Sequence, residues 1–357
     1  MIERWRSYGG AALALLTLTL ILGAAAGCSA IAARLATPTP TNTPLPIPSP
    51  THTPTATTTH TATATPTATS TITPTPTTTP TITPTPSPTW APLHARVRLE
   101  EPQIAQGLVG VVRVEANRPC SVSGLLDGRA IVFGSQDGLN HVALIGVHAM
   151  AKPGLQELEV VVRSEEGAQV GLATTLTVLA REFAQENLTF SPEVSRLLDP
   201  QYTEPELKRM QAVYAIASPI RHWQGTFRWP HKGTITSPFG ARRNYAGRLL
   251  AYHAGLDIDG ETGDQVVAAA DGVVVLAEPL QVRGNAVVLD HGWGVLSGYY
   301  HLDTIAVSLG DRVAAGDPLG TLGASGLVTG SHLHWELHVG GIAVDPRQWL
   351  EREFPGS

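Results

Sequence analysis

Polar and apolar residues alternate through Ser331-His332-Leu333-His334-Trp335-Glu336-Leu337-His338, near the C-terminus. From His332 onward every second residue is polar, and the residues between them are leucine or tryptophan. Successive side chains of a β-strand point to opposite faces, so the pattern predicts a strand with one buried apolar face and one face of imidazoles. We expect the polar face to line a cleft, with His338 at its edge.

Two earlier segments carry the same kinds of side chain: Tyr252-His253-Ala254-Gly255-Leu256-Asp257 and Tyr299-Tyr300-His301-Leu302. Two imidazoles and one carboxylate form a ligand set that Zn²⁺ accepts, and three protein ligands leave a position for water. The other histidines are then free for proton transfer, because imidazole titrates near neutral pH. A hydrolase is the leading interpretation. The alternative is a solvated strand face whose histidines have no chemical role.

Three glycine-containing segments accompany these residues: Gly233-Thr234-Ile235-Thr236-Ser237-Pro238-Phe239-Gly240, Gly284-Asn285-Ala286-Val287-Val288-Leu289-Asp290-His291-Gly292 and Gly310-Asp311-Arg312-Val313-Ala314-Ala315-Gly316-Asp317. Together with the histidines and the aspartate, in the same order, they resemble the lysostaphin-like zinc endopeptidases of the bacterial cell wall. The resemblance covers roughly residues 226–350. It implies a β-rich catalytic domain, of the duplicated hybrid or barrel-sandwich type, that cleaves peptide bonds in peptidoglycan.

The resemblance also implies roles for five residues. His253, Asp257 and His334 match the ligands of one Zn²⁺ per catalytic domain, and His301 and His332 match the catalytic pair. The chain has no His-Glu-x-x-His motif, so the glutamate base of that protease type is absent and an imidazole can replace it. Accepting the proton of water and stabilising the oxyanion stay unassigned between the two catalytic histidines.

Three neighbouring residues have less definite predictions. Glu336 either orients an imidazole from behind or is a solvated strand residue. Tyr299 and Tyr300 lie on opposite faces of one strand, so we expect one in the core and the other close enough to bond the oxyanion.

The N-terminus has the features of an export signal over residues 1–28. Arg4 and Arg6 precede an apolar stretch that ends in Ala24-Ala25-Ala26-Gly27-Cys28, which resembles a bacterial lipoprotein box with Cys28 as the lipidated residue. Ala25 stands where leucine is usual, and an uncleaved membrane anchor is the alternative. In both cases we expect a protein tethered to the membrane at the cell envelope.

Residues 29–91 are expected to form a disordered stalk. From about residue 37 to residue 89 the chain is almost wholly threonine and proline, a composition that cannot bury enough surface to fold and that favours extended polyproline II. At about 3.1 Å per residue, such a stalk reaches on the order of 150 Å. O-glycosylation of its threonines is a hypothesis.

Residues 92–180 predict an immunoglobulin-like β-sandwich. Runs such as Val109-Gly110-Val111-Val112-Arg113-Val114 are separated by turn signals including Asp127-Gly128 and Pro153-Gly154. Cys120 has no partner cysteine in this region, so no internal disulfide forms and a buried apolar role is expected. The region carries no catalytic constellation, which favours a spacer or a binding module.

Residues 181–225 predict a linker with a helix. Thr203-Glu204-Pro205-Glu206 has the form of a capping box, and Leu207, Met210 and Tyr214 follow at helical spacing. We expect this helix to brace the catalytic domain of residues 226–350, which residues 351–357 follow as a tail. The predicted fold is therefore all-β, with short helices between its two β domains.

Composition narrows the function classes. Charged residues make up 15% of the chain and the net charge is −6, which argues against nucleic acid as a partner. The expected partners are a peptidoglycan peptide and, through the N-terminal anchor, the membrane; we expect a monomer.

Three other functions are alternatives to the endopeptidase. A lipoyl or biotinyl carrier needs an attachment lysine on a hairpin, but the only lysine after residue 226 is Lys232, before the first strand. A sugar phosphotransferase would be cytosolic. The remaining alternative is a catalytically inactive, wall-binding regulator of another peptidoglycan hydrolase; such relatives typically have lost ligands, whereas this chain has kept them.

Overall fold

Strands dominate the part of the chain that the structure describes, and helices are few there, as the all-β prediction requires. The computed structural model describes residues 91–245 and 248–355. The predicted export signal, Cys28 and the threonine- and proline-rich stalk lie outside the described residues. No helix within the described ranges is long and apolar enough to cross a membrane.

The N-terminal part of the described chain consists of two sheets. The strands in chain order are β1 (Ala95–Leu99), β2 (Gln103–Ala105), β3 (Val109–Ala116), β4 (Cys120–Leu126), β5 (Arg129–Ile131), β6 (Phe133–Ser135), β7 (Asn140–Gly146), β8 (Gly154–Ser164) and β9 (Gln169–Leu179). One sheet has the order β1-β3-β7-β6 and the other β2-β9-β8-β4-β5. Apolar residues of both sheets share one core, so the sheets pack face to face. The immunoglobulin-like assignment stays a prediction.

A connecting segment follows, with β10 (Gln185–Leu188), α1 (Pro192–Ser195), a 3₁₀ turn (Arg196–Leu198) and α2 (Pro200–Tyr214). The predicted capping box is wrong. Asp199 caps α2, because its carboxylate accepts the backbone N–H of Gln201 at 2.9 Å, and Thr203 lies inside the helix. The predicted apolar stripe is partly wrong, since Leu207 is exposed while Met210 and Tyr214 are buried.

The remaining strands form the predicted β-rich C-terminal region. They are β11 (Ile235–Ser237), β12 (Arg242–Tyr245), β13 (Arg248–Tyr252), β14 (Gly255–Asp259), β15 (Gln265–Val267), β16 (Gly272–Pro279), β17 (Asn285–Gly292), β18 (Val295–Ile305), β19 (Arg312–Val313), β20 (Pro318–Leu322), β21 (His332–Val339) and β22 (Ile342–Val344), followed by α3 (Arg347–Glu351). The main sheet has the order β11-β14-β21-β18-β17-β16-β19, and β15, β20 and β22 pair along its margins. A second sheet, β10-β12-β13, joins the connecting segment to this region.

Strand register brings the candidate residues together. β21 lies between β14 and β18, and its His334 is paired with Asp257 on one side and with Tyr300 on the other. His332 is paired with Asp259. Residues paired across adjacent strands have neighbouring side chains. Residues more than 70 positions apart in sequence therefore meet at one place on the sheet.

The two β regions share a core. Alternate residues of β3 face opposite sides: Val112 packs between the N-terminal sheets, whereas Val111 packs with the C-terminal sheet. Hydrogen bonds cross the same boundary, for example from the Val109 backbone N–H to the Gln348 side-chain oxygen at 2.8 Å. All the described residues belong to one compact unit. The boundaries 92–180 and 226–350 stay predictions.

Candidate metal centre and its cleft

Three side chains meet where β14 and β21 run side by side. Asp257 and His334 face each other across the strand pair, with 2.7 Å between Asp257 Oδ1 and His334 Nδ1. His253 precedes β14, and its Nε2 lies 2.9 Å from His334 Nδ1 and 3.0 Å from Asp257 Oδ1. All three residues are buried. The structure thus brings the three predicted ligands together, as a cluster able to hold a metal ion.

Hydrogen bonds on the far sides of both imidazoles fix which nitrogen faces the cluster. His253 Nδ1 lies 2.9 Å from the Pro238 carbonyl oxygen, and His334 Nε2 lies 2.9 Å from Glu336 Oε1. Both partners are acceptors, so each of these nitrogens can keep its proton when the opposite ring nitrogen gives up its own to bind a metal ion. The three atoms that face one another are therefore two imidazole nitrogens, each able to coordinate once deprotonated, and a carboxylate oxygen. A divalent cation is the natural partner of such a set.

Spacing supports the same fit. Tetrahedral zinc with bonds of about 2.0 Å holds its ligands roughly 3.3 Å apart. The three atoms here are separated by 2.7, 2.9 and 3.0 Å, so small outward shifts accommodate the ion.

The electrostatics at the cluster favour positive charge. Burial raises the pKa of Asp257, but hydrogen bonds from His253 and His334 outweigh it and hold that pKa well below its usual value. Burial disfavours the imidazolium of His334, yet hydrogen bonds to Asp257 and Glu336 raise its pKa above the usual value. The position next to these carboxylates therefore stabilises a cation, whether a proton or a metal ion.

A polar network from β10–β12 supports Asp257 and His253. The Arg243 guanidinium donates to Asp257 Oδ2 and to Glu186 Oε2, the latter at 3.3 Å. Ser237 Oγ donates to Glu186 Oε1 at 2.7 Å and lies 2.9 Å from His253 Nδ1. Outer partners of this kind orient metal-binding side chains. The sequence analysis did not predict Glu186 or Arg243. Glu186 lies in the connecting segment, far from the motifs, and the role of Arg243 depends on its pairing with Glu186.

Glu336 supports His334 from the opposite side. It is buried, its Oε2 accepts from Tyr214 Oη at 2.7 Å and lies 2.8 Å from His338 Nε2, and its Oε1 accepts from His334. Of the two interpretations left open for Glu336, the structure supports the residue that orients an imidazole. Hydrogen bonds from these partners keep its pKa well below the usual value although burial raises it.

Tyr299 of β18 lies in the core, as expected of one tyrosine, but two other expectations about this face of the sheet are wrong. His338 is not at the cleft edge: it is buried, and its ring stacks on Tyr214 of α2 with centroids 3.5 Å apart. Tyr299 and Tyr300 are both fully buried, and the Tyr300 hydroxyl contacts that of Tyr214. Helix α2 covers this half of the face. Neither tyrosine therefore reaches an oxyanion in the cleft.

The predicted catalytic pair lies beside the cluster. The rings of His301 and His332 are 5.0 Å apart, and His332 Nε2 lies 3.7 Å from Asp257 Oδ1. His301 Nδ1 donates to the Ser325 carbonyl at 2.8 Å, and His332 Nδ1 donates to the Gly330 carbonyl at 2.9 Å. Each neutral ring thus keeps an unprotonated Nε2. His301 has a φ of 62°, a left-handed conformation that is uncommon for a non-glycine residue and often marks functional positions.

Both histidines favour the neutral form. Burial lowers the pKa of His301 well below its usual value, and the neighbouring His334 and His332 lower it further. Burial also lowers the pKa of His332, which is only partly covered. Both imidazoles are therefore ready to accept a proton at neutral pH.

Two adjoining cavities give access to these residues. One, of about 230 Å³, is lined by His253, His301 and His334, and the other, of about 510 Å³, by Asp257 and His332. Leu188 and Arg243 line both. The connecting segment thus forms part of the cleft wall.

The groove thus directs two imidazoles and one carboxylate to a single point, a group that could hold a metal ion, beside two further oriented imidazoles. Comparison with known proteins agrees. Residues 251–346 match the model of peptidase family M23. The described region, which includes the five candidate residues, therefore contains a lysostaphin-like peptidase M23 domain.

Individual relatives extend this comparison. The chain is 40% identical over 115 residues to the peptidoglycan DD-endopeptidase ShyC of Vibrio cholerae, and 28% identical over 232 residues to the murein hydrolase activator NlpD of Salmonella dublin. These matches cover 32% and 62% of this chain, but only 26% and 58% of the relatives' own lengths. A crystal structure of a peptidase M23 from Pseudomonas aeruginosa is similar with a TM-score of 0.53 and 29% identity, over 69% of this chain and 94% of that chain.

Proposed function

We propose that this protein is a zinc-dependent endopeptidase that hydrolyses peptide bonds in the crosslinks or stem peptides of peptidoglycan. The observation that carries the proposal is the convergence of two imidazole nitrogens and a carboxylate oxygen within 3.0 Å of one another, next to two imidazoles with free Nε2 atoms. A likeness to a peptidoglycan DD-endopeptidase supports the choice of substrate.

In this proposal His253, Asp257 and His334 hold one Zn²⁺. The bound ion supplies Lewis-acid polarisation of the scissile carbonyl and lowers the pKa of a water ligand. Arg243 neutralises the second oxygen of Asp257 and keeps the carboxylate oriented toward the ion. Glu336 holds His334 in the tautomer whose Nδ1 is free to bind.

His301 and His332 carry the proton in this proposal. Each ring donates its Nδ1–H to a backbone carbonyl, so Nε2 is the atom that accepts the proton of the attacking water. Once protonated, the same Nε2–H can donate to the oxyanion or to the departing amine. The lowered pKa of both groups keeps them in the accepting form before the reaction begins.

A digest of purified peptidoglycan by the full chain tests the proposal. We expect soluble muropeptides whose masses correspond to cleaved peptide bonds, loss of this release after chelation, and recovery on adding zinc. Product masses also identify the bond that is cut. Absence of peptide-bond cleavage by zinc-loaded, folded protein would contradict the endopeptidase proposal.

A second candidate is a regulator that activates another murein hydrolase. The similarity to NlpD, described as a murein hydrolase activator, favours it. It predicts no muropeptide release by the chain alone, and faster release when an active murein hydrolase is present. The same digest, run with and without such a hydrolase, separates the two functions.

The proposed location follows from the predicted N-terminus. An exported protein tethered to the membrane at Cys28, or through an uncleaved anchor, would reach the wall across the predicted stalk. Mass spectrometry of the mature N-terminus distinguishes these two, because an intact Met1 excludes lipidation at Cys28.

A further inference from the structure

The cleft continues beyond His332. Next to the cavity that contains His332 lies one of about 680 Å³, and the two share Asp259 and Ser331 in their walls. A third cavity, of about 540 Å³, shares Lys232 and Asp264 with the second. Because neighbouring cavities share lining residues, we treat the three as one groove. It lies beside the bent chain that precedes β11, and none of the proposed metal or proton-transfer chemistry uses its far part.

Trp229 lines the far end of this groove. Its exposed fraction is 43%, which makes it the one exposed tryptophan within the described residues. Its position is fixed, because the carbonyl of the next residue, Pro230, accepts the Val267 backbone N–H at 2.9 Å, and its ring lies 6.2 Å from that of the buried Trp335. A held aromatic ring open to a groove is a stacking platform, since it offers a flat apolar face at little cost in conformational entropy.

Polar side chains surround this ring. Lys232 and Gln265 line the same cavity and have no side-chain partner within the described residues, and Arg228 donates to the Ala315 carbonyl at 3.2 Å. An aromatic face flanked by free hydrogen-bonding groups suits a sugar ring, which has an apolar C–H face and a rim of hydroxyl and amide groups. The Lys232 ammonium, on the way to His332, has no side-chain partner in the described part of the chain and suits a carboxylate of a stem peptide, although Asp259, Glu261 and Asp264 line the same cavity.

We propose that Trp229 and Lys232 form a subsite for the glycan-linked part of the substrate, with a sugar ring stacked on Trp229 and a stem-peptide carboxylate bound by Lys232. This inference rests on the proposed endopeptidase function.

The test compares two soluble substrates: a crosslinked muropeptide dimer that keeps its disaccharides, and the same dimer after removal of the sugars. With full-length zinc-loaded protein, we expect a several-fold higher kcat/KM for the sugar-bearing dimer. Trp229→Ala should lower kcat/KM about tenfold on that dimer, and much less on the sugar-free one, as expected for the loss of one aromatic contact. Trp229→Tyr should restore most of the loss, and Leu309→Ala, an exposed residue outside the groove, should change neither substrate.

Each outcome bears on one proposal. Equal rates of wild-type protein on the two dimers, or an equal loss on both in Trp229→Ala, would overturn the subsite while the endopeptidase stands. Cleavage of neither dimer by wild-type protein would overturn the endopeptidase itself. Lys232→Ala serves as a second variant if Trp229→Ala does not fold; it should raise KM for a dimer with free stem carboxylates and not for the dimer with amidated carboxylates.

Discussion

The two halves of strand β21 carry nearly the same residues on one face but have different environments. His332 and His334 lie at the half that opens to the cleft, with His332 still partly exposed. Glu336 and His338 lie at the half that Tyr214 of α2 covers, and both are buried. Alternation in a sequence therefore predicts which face a residue shares, whereas the cover over that face decides whether the residue meets substrate or supports a neighbour.

The largest effect should come from the open half. We expect His332→Ala to lower peptidoglycan hydrolysis by about 10²–10⁴-fold, because a positioned proton acceptor is lost, while the zinc content is unchanged. His338→Ala is the matched control on the covered half: it should lower the stability toward urea and leave most of the activity. Metal analysis and muropeptide release measure both. Loss of zinc from the His332 variant would show that His332 and His334 have each other's roles.

The comparison also explains which features could be predicted from the sequence. Alternation identified β21, and strand pairing then brought His253, Asp257 and His334 together as expected. The burial of His338 could not be foreseen, because its cover, Tyr214, is more than 120 residues earlier. The true helix cap, Asp199, lies four residues before the predicted Thr203.

A second limit concerns the wall of the cleft. β10 pairs in parallel with β12, which places Glu186 opposite Arg243. No local pattern in the short Gln185–Leu188 segment announces this long-range pairing. Residues whose role depends on distant partners are those that sequence periodicity does not reveal.

His291, which lies on β17 and not on β21, shows how burial changes the pKa of an imidazole. Burial lowers the pKa of His291 to about 4, although the nearby Asp271 and Asp290 oppose the shift. Its unfolded pKa is about 6.5, so the unfolded chain binds a proton first as pH falls. Stability should be full above pH 6.5 and should fall by roughly 3 kcal/mol between about 6.5 and 4.

Urea unfolding of the wild type and of His291→Gln at several pH values tests this. The variant removes the titrating group, so the part of the pH dependence between about 6.5 and 4 that His291 supplies should disappear. An unchanged slope in the variant would assign that dependence to other groups.

Glu336 hydrogen-bonds to His334 on the open half of β21 and to His338 on the covered half. It should therefore affect metal binding although it lies outside the cleft. Glu336→Gln keeps the shape but removes the charge that holds the His334 tautomer. We expect zinc affinity to fall by about 10–100-fold, measured by competition with a chelator. Glu278→Gln, on a partly exposed carboxylate of β16 that pairs with Arg209 far from the metal centre, is the control; an equal fall in both variants would contradict a specific role for Glu336.

The smallest effect should come from the cover itself. Tyr214→Phe keeps the ring stacked on His338 but removes the hydroxyl that donates to Glu336. The free energy of unfolding should fall by about 1 kcal/mol, with a slight loss of zinc affinity. Urea titration measures the first quantity. A loss of all activity in this variant would mean that the covered half takes part in the chemistry.

The most direct test of the account is the zinc content of the full-length protein and of its His334→Ala variant, measured together with peptide-bond cleavage in peptidoglycan. The account predicts about one zinc per chain and cleavage that chelation stops in the wild type, and neither zinc nor cleavage in the variant. Wild-type cleavage that continues in the presence of chelator, or a His334→Ala variant that keeps both its zinc and its activity, would contradict it.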